Sequence, residues 1–128
     1  MRLLLDTHAV LWFALNDSQL SGTAISLILD PANEKFVSPA SDWEIAIKIS
    51  AGKYSLAVPF EDFFRNAVDD NGFRRLPIEL RHTAALTTLP YHHRDPFDRL
   101  LVATALVEGL ALVSADSAFD AYGVTRLW

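Results

Sequence analysis

The sequence predicts an α/β fold: a mostly parallel sheet of four to five strands with helices on both faces, a three-layer α/β/α sandwich. Three observations predict it. Short apolar runs alternate with helical patterns along the whole chain, the signature of βαβ units with right-handed crossovers. No internal repeat, linker or low-complexity segment interrupts the alternation, so residues 1–128 read as one domain. The chain is 51% hydrophobic and 21% charged over 128 residues, enough apolar material to bury a single core.

Each element has its own signal. Arg2 to Leu5 is a short apolar run ended by Asp6, read as a buried strand. Ala9 to Leu15 looks helical, with Val10 and Phe13 inward, and Asn16-Asp17-Ser18 is a turn. Ser21 can cap a helix over Thr23 to Leu29, closed by Asp30-Pro31. Lys35 to Ser38 is the second strand, and Ala40 to Ala51 a helix stopped by Gly52. Phe60 to Val68 is a helix with Phe60, Phe63, Phe64 and Ala67 on its inner side. After a turn at Asp69–Gly72, Phe73 to Pro77 is a third, weaker strand. Glu79 to Leu89 is helical and stops at Pro90. Leu110 to Val113 is the fourth strand, and Val124 to Leu127 an edge strand.

The helix before that fourth strand anchors the chain. Asp95-Pro96 reads as N-cap and first helical residue. Asp98 falls in the first turn, where the helix dipole favours an acid. Leu100 to Val107 is apolar on every side but Thr104, so the helix is buried on most faces. Gly109 ends it.

Parallel sheets work at the carboxyl ends of their strands. Asp6 follows the first strand, and Asp116 follows the fourth by three residues. Glu44 and Asp98 lie near the starts of helices that begin at the same rim. Each acid alone has an ordinary explanation. Asp6 and Asp116 can cap helices, Asp95 and Asp98 resemble a capping pair, and Glu44 precedes Lys48 by four residues, the favourable helix ion pair. Capping does not explain why four carboxylates crowd one rim, where like charges raise one another's pKa. A divalent cation removes that conflict. An all-oxygen set without paired histidines suits Mg²⁺ or Mn²⁺, one or two ions, and such a site is built for phosphodiester cleavage.

Other features bound the reading. The formal net charge of −5 argues against a general nucleic-acid coat. With no cysteine there is no disulfide framework or thiolate chemistry, which fits a cytoplasmic protein. The start is too soon acidic for a signal peptide, and no apolar run is long enough to span a membrane. His82, His92 and His93 read as polar loop or surface residues, while His8, beside Asp6, is a candidate neighbour of the site. Arg94 and Arg99 either balance Asp95 and Asp98 or hold nucleic-acid phosphates, the second being preferred. Trp12, Phe13, Trp43 and the Phe60–Phe64 cluster read mainly as core, with an exposed groove for a partner as the alternative.

Four stretches in order carry a family resemblance: Leu4-Leu5-Asp6-Thr7-His8, Ser38 to Lys48 around Trp43-Glu44-Ile45, His93 to Ala103 with its Asp-Pro-Phe-Asp, and Leu112 to Phe119 with Val113-Ser114-Ala115-Asp116. Together they resemble the PIN-domain ribonucleases, and among them the VapC-type toxins of bacterial toxin–antitoxin pairs. The resemblance covers nearly the whole chain and implies a PIN-like fold. It implies that Asp6, Glu44, Asp98 and Asp116 form the catalytic, metal-holding set, with Asp95 as N-cap first and accessory to the site second. It implies a metal-dependent endoribonuclease, a homodimer, and an antitoxin partner. Thr7 and Ser114 are then expected to orient water or substrate; Ser114 stands where the family often has Thr. A rival is a catalytically silent PIN-like module that only binds a partner. A haloacid-dehalogenase-like phosphatase would need an acid where His8 stands, and a receiver-like domain would need a lysine after its last strand, yet none lies beyond Lys53.

Overall fold

A computed structural model describes every residue from Met1 to Trp128. Five strands form one sheet: β1 (Arg2–Leu5), β2 (Glu34–Val37), β3 (Arg74–Arg75), β4 (Ala111–Val113) and β5 (Arg126–Leu127). Their order is β3-β2-β1-β4-β5, and all four pairings are parallel. The expected sheet is therefore observed, with five strands and no antiparallel member. The edge strands are shorter than their apolar patterns suggest. A two-residue edge offers little unpaired backbone to other chains.

Helices cover both faces, giving the three layers. On one side lie α1 (Thr7–Ala14), α2 (Gly22–Leu29), α3 (Pro39–Ser50) and α4 (Phe60–Phe64). The other side carries α5 (Leu80–Leu86), α6 (Pro96–Glu108) and a 3₁₀ turn (Ser117–Tyr122). Alternating strand residues divide the core between the faces. Leu3, Leu5, Val37 and Val113 pack with Val10, Ile28, Ile45 and Phe64, whereas Leu4, Phe36 and Leu112 pack with Leu101, Val102 and Phe119. No helix is long and apolar enough to cross a membrane.

Two predicted elements and one residue differ in detail. The helix expected over Phe60 to Val68 is α only to Phe64, then widens to a π turn over Arg65–Asp69, closed by the Asp70 N–H donating to the Arg65 carbonyl at 3.1 Å. The helix expected to Leu89 stops at Leu86. Thr87, Thr88 and Leu89 instead donate three residues back, a tightening that suits two consecutive β-branched residues. His82, expected at the surface, is fully buried: its Nδ1 accepts the Glu79 N–H at 3.0 Å, and its Nε2 lies 2.7 Å from Glu108 Oε1. It closes the start of α5 and ties it to the end of α6.

Strand order fixes where the site lies. From β1 the chain builds outward to β2 and β3, then crosses back to place β4 on the other side of β1. The crevice of a parallel sheet opens where the order reverses, here beyond the carboxyl ends of β1 and β4. Asp6 directly follows β1, its N–H donating to the Val113 carbonyl of β4 at 3.1 Å. α3 and α6, which carry Glu44 and Asp98 in or near their first turns, pack against each other at this end.

Candidate metal centre

Each acid of the predicted set is positioned by the element it begins. Asp6 caps α1, one oxygen accepting the Ala9 N–H at 2.7 Å. Asp116 caps the 3₁₀ turn in the same way, Oδ1 accepting from Ala118 at 3.0 Å. Asp95 caps α6 through Oδ1, which accepts the Phe97 and Asp98 N–H groups at 2.8 and 3.2 Å. Glu44 receives Lys48 Nζ on Oε2 at 3.0 Å. The caps of Asp6, Asp95 and Asp116 and the Glu44–Lys48 pair thus hold, whereas Asp98 returns no bond to Asp95 and the reciprocal capping pair is not formed. A carboxylate has two oxygens, and each cap uses one.

Asp98 differs from the others. No protein donor reaches its carboxylate, because its N–H is spent on Asp95 and its half-buried side chain faces other acids. Burial pushes its pKa up to about 7, the Asp95 charge adds to this, His93 pulls it back, and Glu44 and Asp116 push it up by less. Asp6 is also raised, chiefly by burial, although Ser114 and the Ala9 N–H stabilise its anion and Glu44 opposes it. The four predicted acids therefore share one field.

They do not all share one radius. One ligand atom each from Asp98, Asp116 and His93 lie within 4.8 Å of one another. Asp6 and Glu44 stand outside that triple. Asp98 and Asp116 are the carboxylates of that triple that would hold a divalent cation, an oxygen-ligated ion such as Mg²⁺ or Mn²⁺. The donor set fits a hard divalent cation: two carboxylates, Asp98 and Asp116, that repel each other without one.

The accessory residues support the acids more than they face outward. Thr7, expected to orient water or substrate, is buried and turned inward. Its hydroxyl lies 2.7 Å from Glu44 Oε1 and 3.0 Å from Ser41 Oγ. A carboxylate can only accept, so Thr7 donates to Glu44 and accepts from Ser41. Ser114 is likewise fully buried: its Oγ accepts the Asp116 N–H at 3.1 Å, and it favours the Asp6 anion against the effect of burial. Both residues hold acids, not water. Thr7→Val should leave Glu44 with a buried, unpaired oxygen and cost about 1–3 kcal/mol, read as a lower urea midpoint. An unchanged midpoint would mean that the bond contributes nothing.

Arg99 was expected to bind phosphate. It is buried, donating to the carbonyls of Pro90 and Leu89 at 2.8 and 3.2 Å, with its guanidinium 3.8 Å from the Tyr91 ring centroid. It latches the loop before α6 and is not free for substrate. Arg94 is exposed and makes no ion pair or side-chain hydrogen bond. Arg99→Ala is expected to destabilise by about 1–3 kcal/mol, and Arg94→Ala to stay within about 0.5 kcal/mol of wild type, as compared by denaturant titration.

Two aromatic expectations also change. Trp43 is 59% exposed, its ring edge against Phe97 at 5.0 Å between centroids, so it is not core. Trp12 is half-buried and packs against Trp128. His8 is exposed and reaches the site only through its charge on Asp6. The residue that sequence reasoning missed is His93, placed among surface histidines. Its Nε2 lies 3.2 Å from Asp116 Oδ2. The available signal was its place two residues before the Asp95 cap, on the approach to Asp98.

Comparison with known proteins adds to this geometry. The family model described as "PIN domain" matches residues 3–124. Ribonuclease VapC22 of Mycobacterium tuberculosis is 31% identical over 114 residues, covering 88% of this chain and 85% of that protein. VapBC2 from Rickettsia felis, solved bound to a DNA fragment from its promoter, superposes with a TM-score of 0.69 at 15% identity, covering 99% of this chain and 98% of that one. A toxin–antitoxin complex from Klebsiella pneumoniae gives a TM-score of 0.68 at 15% identity over 98% and 96%. The last two likenesses are of fold.

Proposed function

The chain belongs to the PIN domain family, and from that premise we propose that it is a metal-dependent endoribonuclease, the toxin of a toxin–antitoxin pair. The observation that carries this reading is Asp98: an acid with no protein donor, held up to about 7 by burial and by neighbouring acids, beside Asp116 at the crevice of a parallel sheet. An acid whose pKa is raised by burial and by neighbouring acids, at the crevice of a parallel sheet, is a candidate working group. The relative VapC22 is named a ribonuclease.

In this reading Asp6, Glu44, Asp98 and Asp116 are the metal and catalytic set, for Mg²⁺ or Mn²⁺, one ion or two. A cation held there would acidify coordinated water and offset charge on the phosphate under attack. The protein's own residues fix the acids. Thr7, itself bonded to Ser41, holds Glu44, Ser114 holds the turn that carries Asp116, and Asp95 caps the helix that presents Asp98. Lys48 balances Glu44 while no cation does so. Arg94, free at the rim, is the candidate for an RNA phosphate. The working unit is one domain over residues 1–128, cytoplasmic, homodimeric and inhibited by a cognate antitoxin protein. The Klebsiella fold neighbour, itself a toxin–antitoxin complex, supports the partner.

The test is cleavage of a mixed RNA pool by purified protein with Mg²⁺, Mn²⁺ or EDTA, beside Asp6→Asn. Cutting that needs metal and disappears in the variant is expected. Cutting that persists in the variant would refute the assignment. Silence from folded wild type would favour a PIN-like module that only binds a partner.

A further inference from the structure

We propose that Tyr122 and His93 form a hydrogen-bonded relay that orients Asp116, making His93 a positioning residue for the metal site and not one of its ligands. The proposal rests on the nuclease reading only in taking Asp116 as a ligand.

Asp116 needs such support. Its side chain is 48% exposed, on the loop after β4, and Oδ1 is committed to the Ala118 N–H. Oδ2 is the oxygen left for a cation. An exposed carboxylate oxygen stays in one place only if something holds it. The holder in reach is His93 Nε2, at 3.2 Å.

His93 is itself fixed. Its side chain is only 10% exposed. The imidazole packs on Phe119, with centroids 4.8 Å apart, and stacks on Tyr122 at 5.5 Å with 17° between planes. Phe119 is fully buried in the core beneath α6. The ring cannot turn without breaking that packing.

A proton count gives the direction of the relay. Tyr122 Oη receives two backbone amides, His92 N–H at 3.1 Å and His93 N–H at 2.7 Å. Amide N–H groups only donate, so both lone pairs of Oη are taken. The hydroxyl proton is then free to point to another acceptor, and the protein acceptor in reach is His93 Nδ1 at 3.3 Å. With Nδ1 accepting, the ring proton sits on Nε2 and is donated to Asp116 Oδ2. The chain is Tyr122 O–H to His93 Nδ1, then His93 Nε2–H to Asp116. The same count argues against direct ligation, although Nε2 lies within 4.8 Å of the Asp98 and Asp116 oxygens. A ligating Nε2 would put its proton on Nδ1, against an oxygen with no lone pair left. Hydrogen-bond partners that orient ligands typically contribute 10–100-fold to metal affinity.

The test is Mn²⁺ titration of the metal-free full chain, with free Mn²⁺ read by electron paramagnetic resonance. His93→Leu, which keeps bulk but donates nothing, should bind Mn²⁺ about 10–100-fold more weakly. His93→Gln, whose amide can donate from about the same place, should recover most of the loss. Tyr122→Phe should weaken binding in the same direction by less. Electron spin-echo modulation of bound Mn²⁺ in wild type should lack the coupling of a directly bonded imidazole nitrogen. Thermal melts check folding; should His93→Leu not fold, Tyr122→Phe and the spin-echo result decide. Wild-type affinity in the folded Leu variant, or no loss in Tyr122→Phe, overturns the relay. A bonded-nitrogen signal overturns it in favour of His93 as a ligand. Failure of wild type to bind Mn²⁺ would instead remove the metal reading itself, and the relay with it.

Discussion

Asp98→Asn should raise the melting temperature of the metal-free protein at pH 8 by a few degrees while lowering RNA cleavage by about 10²–10³-fold or more. The two effects share one origin. In the unfolded chain Asp98 loses its proton near the ordinary value of 3.8, while in the fold it keeps it up to about 7. Between those values the folded state binds the extra proton, so stability falls as pH rises. The penalty is absent below about pH 4 and complete above about 7. Asn carries no charge, so it removes the penalty at pH 8 and changes little at pH 4. A shift of this size would correspond to about 4 kcal/mol for a fully buried group. Half-exposure and solvent screening reduce that to about 1–2 kcal/mol, a few degrees for a chain of this length. Saturating Mn²⁺ should reverse the order, because a cation that binds only the folded wild type stabilises it by mass action. Calorimetric melts at pH 4 and pH 8, with and without Mn²⁺, check all four corners. A wild type that melts higher than the variant at pH 8 without metal would show that Asp98 is satisfied after all.

The fold was legible because its signals are local and repeated. Apolar runs such as Leu3-Leu4-Leu5 and Leu110 to Val113 are buried on both faces, and parallel strands read that way. Caps at Ser21 and Asp95 were readable from residue type, and both side chains accept the expected N–H groups. The rim on which the acids gather was also legible, since it follows from strand ends and strand order. What sequence could not give was side-chain direction. Thr7 and Ser114 have the chemistry to hold water, yet the crossing of α3 against α1 and the turn after β4 bury them against acids. Arg99 lies one residue from Asp98 in the chain, but on a helix successive side chains point about 100° apart. That rotation takes the guanidinium to the Leu89 and Pro90 carbonyls. His93 and His82 carried no spacing signal because their partners, Tyr122 and Glu108, are far away in sequence and are brought near only by the fold.

Affinity for Mn²⁺ should fall about tenfold for each pH unit below 7, a loss of about 100-fold between pH 7 and pH 5, and level off above about pH 7.5. A carboxylate must be ionised to ligate, so below its pKa the cation competes with a proton. Asp98 supplies one such proton, with its pKa raised to about 7. Ordinary surface carboxylates would give almost no dependence in this range, since they are ionised by pH 5. Titration calorimetry at pH 6 in two buffers of different ionisation enthalpy reads the number of protons released directly. About one is expected for wild type, and about one fewer for Asp98→Asn, whose residual binding should also be nearly flat from pH 6 to 8. The comparison separates two causes that an activity profile confuses: protonation of a ligand, which releases protons on binding, and protonation of substrate or of a group that moves protons later. A wild type that binds Mn²⁺ with no proton release at pH 6 would place the cation away from Asp98, and the crowding of acids at this crevice would then serve some purpose other than holding it.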